Sequence, residues 1–189
     1  MKVFTERGAE SFLKKKGFDI VDSVFVNKEK ELDKLKLKFP VVMKVSSKKI
    51  VHKTKVNGIR LGLKNLSQAK KAFKELIKIR NAEGVLIQEQ VKGKEYLLGL
   101  KKTDDFGYVI AFGKGGSKVE KEKKVEFRVC TYGFKDILNP YGLSVRKNAE
   151  KVLDKLCKLT KDKIKELDIN PLVIVKGKAM IVDSQIVFS

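Results

Sequence analysis

Two oxygen-bearing side chains near the end of the chain have the spacing of a metal site. Asn170 and Asp183 stand at equal distances from the dipeptide Lys176-Gly177. If that dipeptide forms a two-residue hairpin turn, the two side chains face each other with Cβ atoms about 4.5–5.5 Å apart. An amide oxygen and a carboxylate at that separation can bind one Mg²⁺. An asparagine before a proline is also an ordinary turn former, so the spacing alone leaves both interpretations open.

Three charged residues have positions that suit a phosphate-bearing ligand. Lys44 interrupts the apolar run 39–45, where a fixed ammonium can meet phosphate oxygens. Glu89 and Glu95 stand on either side of Gly93, directly after a predicted strand. Each has a plainer interpretation, since a lysine can occupy the exposed face of a strand and both glutamates can be surface carboxylates.

His52 is the only histidine of the chain and lies in a lysine-rich polar loop, residues 46–57. A neutral imidazole is a nucleophile that can carry a phosphoryl group, and nearby lysines would offset the phosphate charge. A lone histidine is also often incidental. The glycine-rich segment 113–116 can bring backbone N–H groups close to phosphates, although such clusters are commonly turns.

Helical and strand patterns are mixed along the chain, with hairpins instead of strict βαβ alternation, which predicts an α+β fold. The longest predicted helix runs from Asn148 to Leu167. The expected boundary between two lobes falls at residues 81–84, giving residues 1–84 and 85–189.

The composition indicates a globular protein with a basic surface. The net charge of +20 comes from 38 lysines and only 5 arginines. Because base-reading proteins rely on arginine, this balance does not favour sequence-specific nucleic-acid binding and suits a phosphate-rich small ligand better. No apolar run approaches the roughly 20 residues of a membrane span, and no leader pattern begins the chain, so a cytoplasmic protein is expected. Cys130 and Cys157 lack metal-type spacing and are expected to be free thiols.

Taken together, these segments resemble the β-subunits of ADP-forming acetyl-CoA synthetases, and more distantly those of succinyl-CoA synthetases. The resemblance runs over nearly the whole chain in the family's order. It is carried by residues 39–47, 50–54, 58–63, 85–89, 94–95, 112–116, 125–128 and 167–172. The most specific stretches are Ile-Val-His-Lys-Thr at residues 50–54 and Asp-Ile-Asn-Pro-Leu at residues 168–172.

The resemblance implies an ATP-grasp fold, in which two lobes with antiparallel or mixed sheets hold ATP or ADP. By this resemblance Lys44 contacts the phosphates. Glu89 and the backbone of Val91 and Lys92 meet the adenine, and Glu95 lies at the ribose.

The same resemblance implies the reacting groups. Arg128 steadies phosphate charge, and Asn170 and Asp183 hold Mg²⁺. His52 relays a phosphoryl group, and Asp168 orients a phosphohistidine.

The implied reaction converts acyl-CoA, ADP and phosphate into a carboxylic acid, ATP and CoA. The chain has no Gly-x-Gly-x-x-Gly after a strand, so the CoA site and the carrier histidine are expected on a separate α-subunit. Two alternatives stay open. One is a stand-alone ATP-grasp carboxylate ligase. The other is a nucleotide-binding subunit that has lost catalysis, because Lys55 stands where the family commonly has aspartate.

Overall fold

The computed structural model describes residues 2–36, 38–50, 53–116 and 125–189. Contacts between Cα atoms divide the chain into two compact units. One unit comprises Met1–Ile20 with Val91–Ser189, and the other comprises Val21–Gln90. The division differs from the expected boundary at residues 84 and 85, which would cut a strand at its first residue, Gly84.

The larger unit contains an antiparallel sheet flanked by helices. In the described residues its strands follow the order β1-β11-β9-β6-β7-β8, and β10 also pairs with β9. The strands are β1 (Lys2–Val3), β6 (Lys94–Thr103), β7 (Gly107–Lys114), β8 (Val125–Val129), β9 (Ile164–Val175), β10 (Lys178–Ile181) and β11 (Ser184–Phe188). Its helices are α1 (Glu6–Lys15), α3 (Lys135–Leu138) and α4 (Leu143–Lys158).

One face of this sheet is covered by an apolar core. Leu98, Leu100, Ile110 and Leu167 are fully buried there, together with Leu153 of α4. The side chains of α4 recur at helical spacing, with Val145, Ala149, Val152, Leu153 and Leu156 buried. Burial of these apolar surfaces is the main stabilisation of the unit.

The smaller unit has its own four-stranded antiparallel sheet and its own core. The strand order is β2-β5-β3-β4. The strands are β2 (Ser23–Val26), β3 (Val41–Ser46), β4 (Ile59–Leu63) and β5 (Gly84–Glu89), and the helix is α2 (Leu66–Leu76). Phe73 and Leu76 of α2 pack in one cluster with Met43 and Ile87 of the sheet. Antiparallel sheets with separate helices confirm the predicted α+β class.

The longest helix differs from the predicted span, residues 148–167. It begins at Leu143, ends at Lys158 and continues as a 3₁₀ turn, Leu159–Asp162. Lys163 then adopts a left-handed conformation with φ of 56°, and β9 begins at Ile164. Ile164 and Leu167 are buried strand residues whose three-residue spacing also fits a helix, which is why the sequence pattern misplaces the helix end.

The expectation of two free thiols is wrong. Cys130 and Cys157 form a disulfide across 27 residues, with Cα atoms 5.6 Å apart. Their proximity depends on the path of the chain between β8 and α4, which spacing alone does not reveal. No helix in the described part of the chain is both long and apolar enough to span a membrane.

Candidate functional site

Strand β9 is the centre of the candidate site because two strands pair along it in one continuous register. Ile181 of β10 pairs with Leu172, and Ser184 of β11 pairs with Ile169. Lys176 and Gly177 both have positive φ, 47° and 75°, as type I′ hairpin turns require. The two-residue turn inferred from the sequence is therefore confirmed, together with the register that it sets.

Asn170 and Asp183 meet at the step from β10 to β11. The N–H of Asn170 donates to the carbonyl oxygen of Asp183 at 3.2 Å, and the N–H of Val182 donates to the carbonyl oxygen of Pro171 at 3.1 Å. These two hydrogen bonds connect the pairing of β9 with β10 to its pairing with β11. They hold the backbone at residues 170–171 beside the backbone at residues 182–183. The Asn170 amide and the Asp183 carboxylate therefore extend from adjacent backbone segments. Both supply oxygen atoms, which Mg²⁺ prefers as ligands.

Asp168 lies two residues before Asn170 on β9, and its carboxyl group is close enough to Asp183 to be repelled by it. It is an exposed residue overall, yet atoms packed around its carboxyl group reduce hydration and raise its pKa. Repulsion from Asp183, and then from Glu166, raises that pKa further, while a backbone hydrogen bond from Ile169 lowers it. Negative charge is thus concentrated beside the Asn170–Asp183 pair, an arrangement that a bound cation would stabilise.

Asp168 and Arg128 belong to neighbouring cross-strand rows of the large sheet, and the side chains of the two rows point to opposite faces. The row through Asp168 consists of Phe127, Ala111, Gly99, Asp168 and Gln185. The neighbouring row, on the helix-covered face, consists of Arg128, Ile110, Leu100, Leu167 and Ile186. The structure therefore places Arg128 on the face opposite to Asp168.

Arg128 forms an ion pair with Asp136 of α3. Asp136 also accepts a hydrogen bond from the N–H of Ile137 at 3.0 Å. Sequence reasoning missed Asp136, and no local pattern marks it, because it meets Arg128 only after the chain turns back beyond β8.

The glycine-rich segment packs against the start of β6. The N–H of Gly115 donates to the carbonyl oxygen of Glu95 at 2.9 Å. A Cβ on Gly115 would lie 2.6 Å from the carbonyl carbon of Tyr96, and a Cβ on Gly116 would overlap the Glu95 carboxylate. The glycines at these two positions are thus required by close packing against β6, which the sequence does not show.

In the smaller unit, Lys44 and Glu89 occupy neighbouring strands. Lys44 lies on β3, paired with Leu86 and Ile59, and only 4% of its surface is exposed. Glu89 ends β5, and one of its carboxylate oxygens accepts a hydrogen bond from the N–H of Lys38 at 2.9 Å. A nearly buried ammonium is costly unless it has anionic or polar partners, so its position favours a functional or paired role.

The remaining predicted residues lie in the link between β5 and β6, at the start of β6, or outside the described residues. Val91 and Lys92 connect β5 to β6, with Val91 half-buried and Lys92 exposed. Glu95 is exposed near the start of β6. His52 lies outside the described residues.

Comparison with known proteins gives the family of the fold. The model of the ATP-grasp domain family matches residues 1–139. The chain is 30% identical over 209 residues to subunit β of acetate–CoA ligase (ADP-forming) I from Pyrococcus furiosus, covering 96% of this chain and 90% of that subunit. It is 33% identical over 201 residues to acetate–CoA ligase (ADP-forming) II from Archaeoglobus fulgidus, covering 96% of this chain but spanning only 30% of that longer relative.

The fold agrees with solved structures of the dinucleotide-forming acetyl-coenzyme A synthetase 1 of Ca. Korarchaeum cryptofilum. Its complex with coenzyme A, Ca-AMPCP and HgCl+ matches with a TM-score of 0.85 and 26% identity, covering 100% of this chain and 94% of that one. Its complex with coenzyme A and Mg-AMPPCP, whose phosphohistidine segment points towards the nucleotide-binding site, has a TM-score of 0.76 and 25% identity, with 100% and 93% covered.

The chain therefore belongs to the ATP-grasp family and, within it, to the β-subunits of ADP-forming acetate–CoA ligases.

Proposed function

We propose that this chain is the nucleotide-binding part of an ADP-forming acyl-CoA synthetase. The overall reaction is acyl-CoA + ADP + phosphate ⇌ carboxylic acid + ATP + CoA. Membership of the β-subunit family supports this function. One structural observation links the function to particular residues. That observation is the backbone pairing of Asn170 with Asp183, with the Asp168 carboxyl group close to Asp183.

The residues at this position suit Mg²⁺. The Asn170 amide oxygen and the Asp183 carboxylate would hold it, and both are hard oxygen donors. In the described part of the chain there is no group of three or more His, Cys, Asp or Glu residues that could hold a metal. Two protein ligands nevertheless suit Mg²⁺, which keeps several waters and takes substrate phosphate oxygens. When bound, Mg²⁺ would neutralise phosphate charge.

The proposed nucleotide contacts come from Lys44 and from residues of the segment 89–95. The ammonium of Lys44, fixed within β3, would bind phosphate oxygens. Glu89 and the backbone of Val91 and Lys92 would meet the adenine, and Glu95 would lie at the ribose. The hydrogen bond from Lys38 leaves Glu89 a second carboxylate oxygen for such a contact. The Glu89 side chain would then bind the nucleotide and, through its hydrogen bond with the N–H of Lys38, also fix the segment that precedes β3.

The phosphoryl group would pass through histidine. Phosphate displaces CoA from the acyl-CoA and gives an acyl phosphate. A neutral imidazole then attacks phosphorus, the carboxylic acid leaves, and ADP finally takes the phosphoryl group from the phosphohistidine. His52 would serve this relay and Asp168 would orient a phosphohistidine, while positioning and charge neutralisation supply most of the catalysis.

A partner is part of the proposal. The CoA site and the carrier histidine would belong to an α-subunit, and the longer Archaeoglobus relative leaves ample length for such parts. A cytoplasmic location is proposed with it, because ADP and acyl-CoA are metabolites of that compartment. For Arg128, the proposed contact with phosphate requires that its guanidinium leave Asp136, since the register puts it on the helix-covered face.

Mg²⁺-dependent nucleotide binding is the decisive test. Titration of the chain with ADP in a calorimeter, with and without Mg²⁺, should give saturable binding that strengthens when the metal is present. Absence of binding at millimolar ADP with Mg²⁺ would remove the proposal. A pull-down with the chain as bait should then recover a CoA-binding protein, and the two together should synthesise ATP from acyl-CoA, ADP and phosphate.

A further inference from the structure

The Cys130–Cys157 disulfide ties the end of an edge strand to a helix. Cys130 follows β8 directly, in the 3₁₀ turn Cys130–Tyr132, and Cys157 lies in the last turn of α4. Both side chains are half-buried. Their Cα separation of 5.6 Å falls in the ordinary range for a disulfide, so the link needs no distortion of either element.

Few other attachments hold the end of β8. In the described part of the sheet, β8 pairs with β7 alone. Beyond the strand, Thr131 and Gly133 are exposed, and Phe134 is buried in the core. The disulfide is therefore the covalent cross-link nearest to the strand end, and its loss leaves the ladder with β7 and the Arg128–Asp136 ion pair to hold this edge strand.

We propose that Cys130 and Cys157 form a redox modification site, in exchange with small-molecule thiols and disulfides, whose oxidation state sets the local stability of β8 and the turn after it. The pair lies after β8 and in α4, whereas the proposed metal ligands are Asn170 of β9 and Asp183. Its oxidation state acts on the strand that carries Arg128 and Phe127, and so on the Arg128–Asp136 ion pair.

Exchange with a small thiol reduces the pair in two steps. The thiolate of one thiol molecule attacks one of the two sulfurs, the Cys130–Cys157 bond breaks, and the other cysteine leaves and takes up a proton. A second thiol molecule then attacks the small-molecule sulfur of this mixed disulfide, the first cysteine leaves as a thiol, and the two small thiols depart joined as a disulfide. Two electrons pass from the two thiol molecules to the pair. In the reverse direction, a small-molecule disulfide accepts the two electrons and leaves as two thiols.

The surroundings of the pair suit a reversible link better than a sealed one. Cys130 and Cys157 pack against the edge of the core but remain half-buried, and exposed Thr131 follows Cys130. Disulfides that solvent can reach are the more readily exchanged class. Lys158 and Lys161 are exposed close to Cys157 in sequence, and their charge attracts anionic reagents. In the cytoplasmic location proposed above, such a pair would meet a pool of small thiols.

The test uses the whole chain equilibrated in buffers with different ratios of reduced to oxidised glutathione. Maleimide labelling followed by mass spectrometry counts free thiols. Hydrogen exchange of the same samples reports on β8. The expected result is a shift from no free thiol to two. On reduction, the backbone amides of residues 125–129 should exchange at least about tenfold faster than in the oxidised chain. The exchange rates of residues 164–175 should stay within about twofold of their values in the oxidised chain. The unfolding temperature should fall by about 10 °C on reduction.

A variant without either cysteine separates the pair from other effects of the reductant. C130S/C157S should exchange like the reduced chain in every buffer. If it does not fold, the single variant C157S with the reduced natural chain beside it gives the same comparison. Failure of the oxidised buffers to form the link, or equal exchange of β8 in both states, would overturn the proposal. Parallel titrations with Mg²⁺ and ADP keep the two proposals distinct, because failed nucleotide binding would appear in both redox states.

Discussion

Asn170 donates its backbone N–H to the carbonyl oxygen of Asp183 at 3.2 Å. Asn170 lies on β9 between the part that pairs with β10 and the part that pairs with β11. The bond holds the two residues in register although neither β10 nor β11 includes Asp183. The positions of the Asn170 amide and the Asp183 carboxylate are therefore set by backbone pairing. Substitution of either side chain should consequently leave the ladder intact.

Asp183→Ala should weaken Mg²⁺-dependent ADP binding by at least about tenfold, because it removes the carboxylate proposed to hold the metal. ADP binding measured without metal should change much less. Calorimetry gives both affinities, and circular dichroism checks that the fold is kept. Asp154→Ala, at an exposed position of α4, is the matched control and should bind like the natural chain. Equal loss in the two variants, or none in Asp183→Ala, would contradict the assignment.

The raised pKa of Asp168 predicts the sign of a stability change with pH. Burial, Asp183 and Glu166 make ionisation of this carboxyl group harder in the folded chain than in the unfolded one, where the pKa is 3.8. The group therefore favours folding most below pH 3.8, and that contribution is lost as the pH rises through the folded pKa. Asp168→Asn removes the carboxyl group and with it the free-energy cost of ionising that group in the folded chain.

In unfolding curves without metal, Asp168→Asn should thus be more stable than the natural chain at pH 7, and the two should converge below pH 3.8. Mg²⁺ with ADP should narrow the difference at pH 7, because a nearby cation stabilises the carboxylate. A variant that is less stable by the same amount at every pH would show that Asp168 is held by favourable contacts instead.

Lys44→Met tests the buried ammonium while keeping most of the side-chain volume. Lys44 has 4% of its surface exposed, so the unfolding temperature and the circular dichroism spectrum of the variant check that the fold is kept. Affinity for Mg–ADP should fall by about tenfold or more, since a charge-assisted contact with phosphate is lost. Lys64→Met, at an exposed position just after β4, is the control for the loss of one positive charge. If both variants bind alike, Lys44 serves the fold and not the nucleotide.

Some of this architecture is predictable from the sequence because it depends on local chemistry. Thr5 caps α1 by accepting a hydrogen bond from the N–H of Gly8 at 3.3 Å, and threonine is one of the residues favoured at the N-cap of a helix. The pairing of Asn170 with Asp183 follows from the turn at Lys176-Gly177, because the side-chain period of two leaves no freedom once the turn is fixed.

Other features were not predictable because they depend on how distant segments pack. The Arg128–Asp136 pair and the disulfide both form after the chain leaves β8 and turns back, and no residue pattern encodes that path. The face of the sheet on which Arg128 lies follows from its pairing with Ile110. A resemblance to a family supplies a role for Arg128 but not this pairing.

Variants of the Arg128–Asp136 pair separate two roles for the arginine. Arg128 and Asp136 are both partly exposed, so Asp136→Asn should change the free energy of unfolding by less than about 1 kcal/mol. If Arg128 leaves Asp136 to steady phosphate charge, Asp136→Asn should keep or improve ATP synthesis with the partner present, whereas Arg128→Ala should lower it by about tenfold or more. Steady-state ATP formation measures both. Equal activities in the two variants would confine Arg128 to its contact with α3.

His52→Ala should abolish ATP synthesis from acyl-CoA, ADP and phosphate when the α partner is present, while Mg–ADP binding stays within about twofold of the natural chain. The separation is expected because His52 is the only imidazole of the chain, and the proposed nucleotide and metal contacts belong to other residues. Phosphoryl transfer can be followed with radiolabelled phosphate, since a phosphohistidine on this chain is labile to acid and stable to base. The label should be present on the natural chain and absent from the variant. Lys53→Ala, next to His52, serves as the control for disturbance of the loop and should keep the label. Full ATP synthesis by His52→Ala would show direct transfer from the partner's histidine to ADP and would remove His52 from the relay.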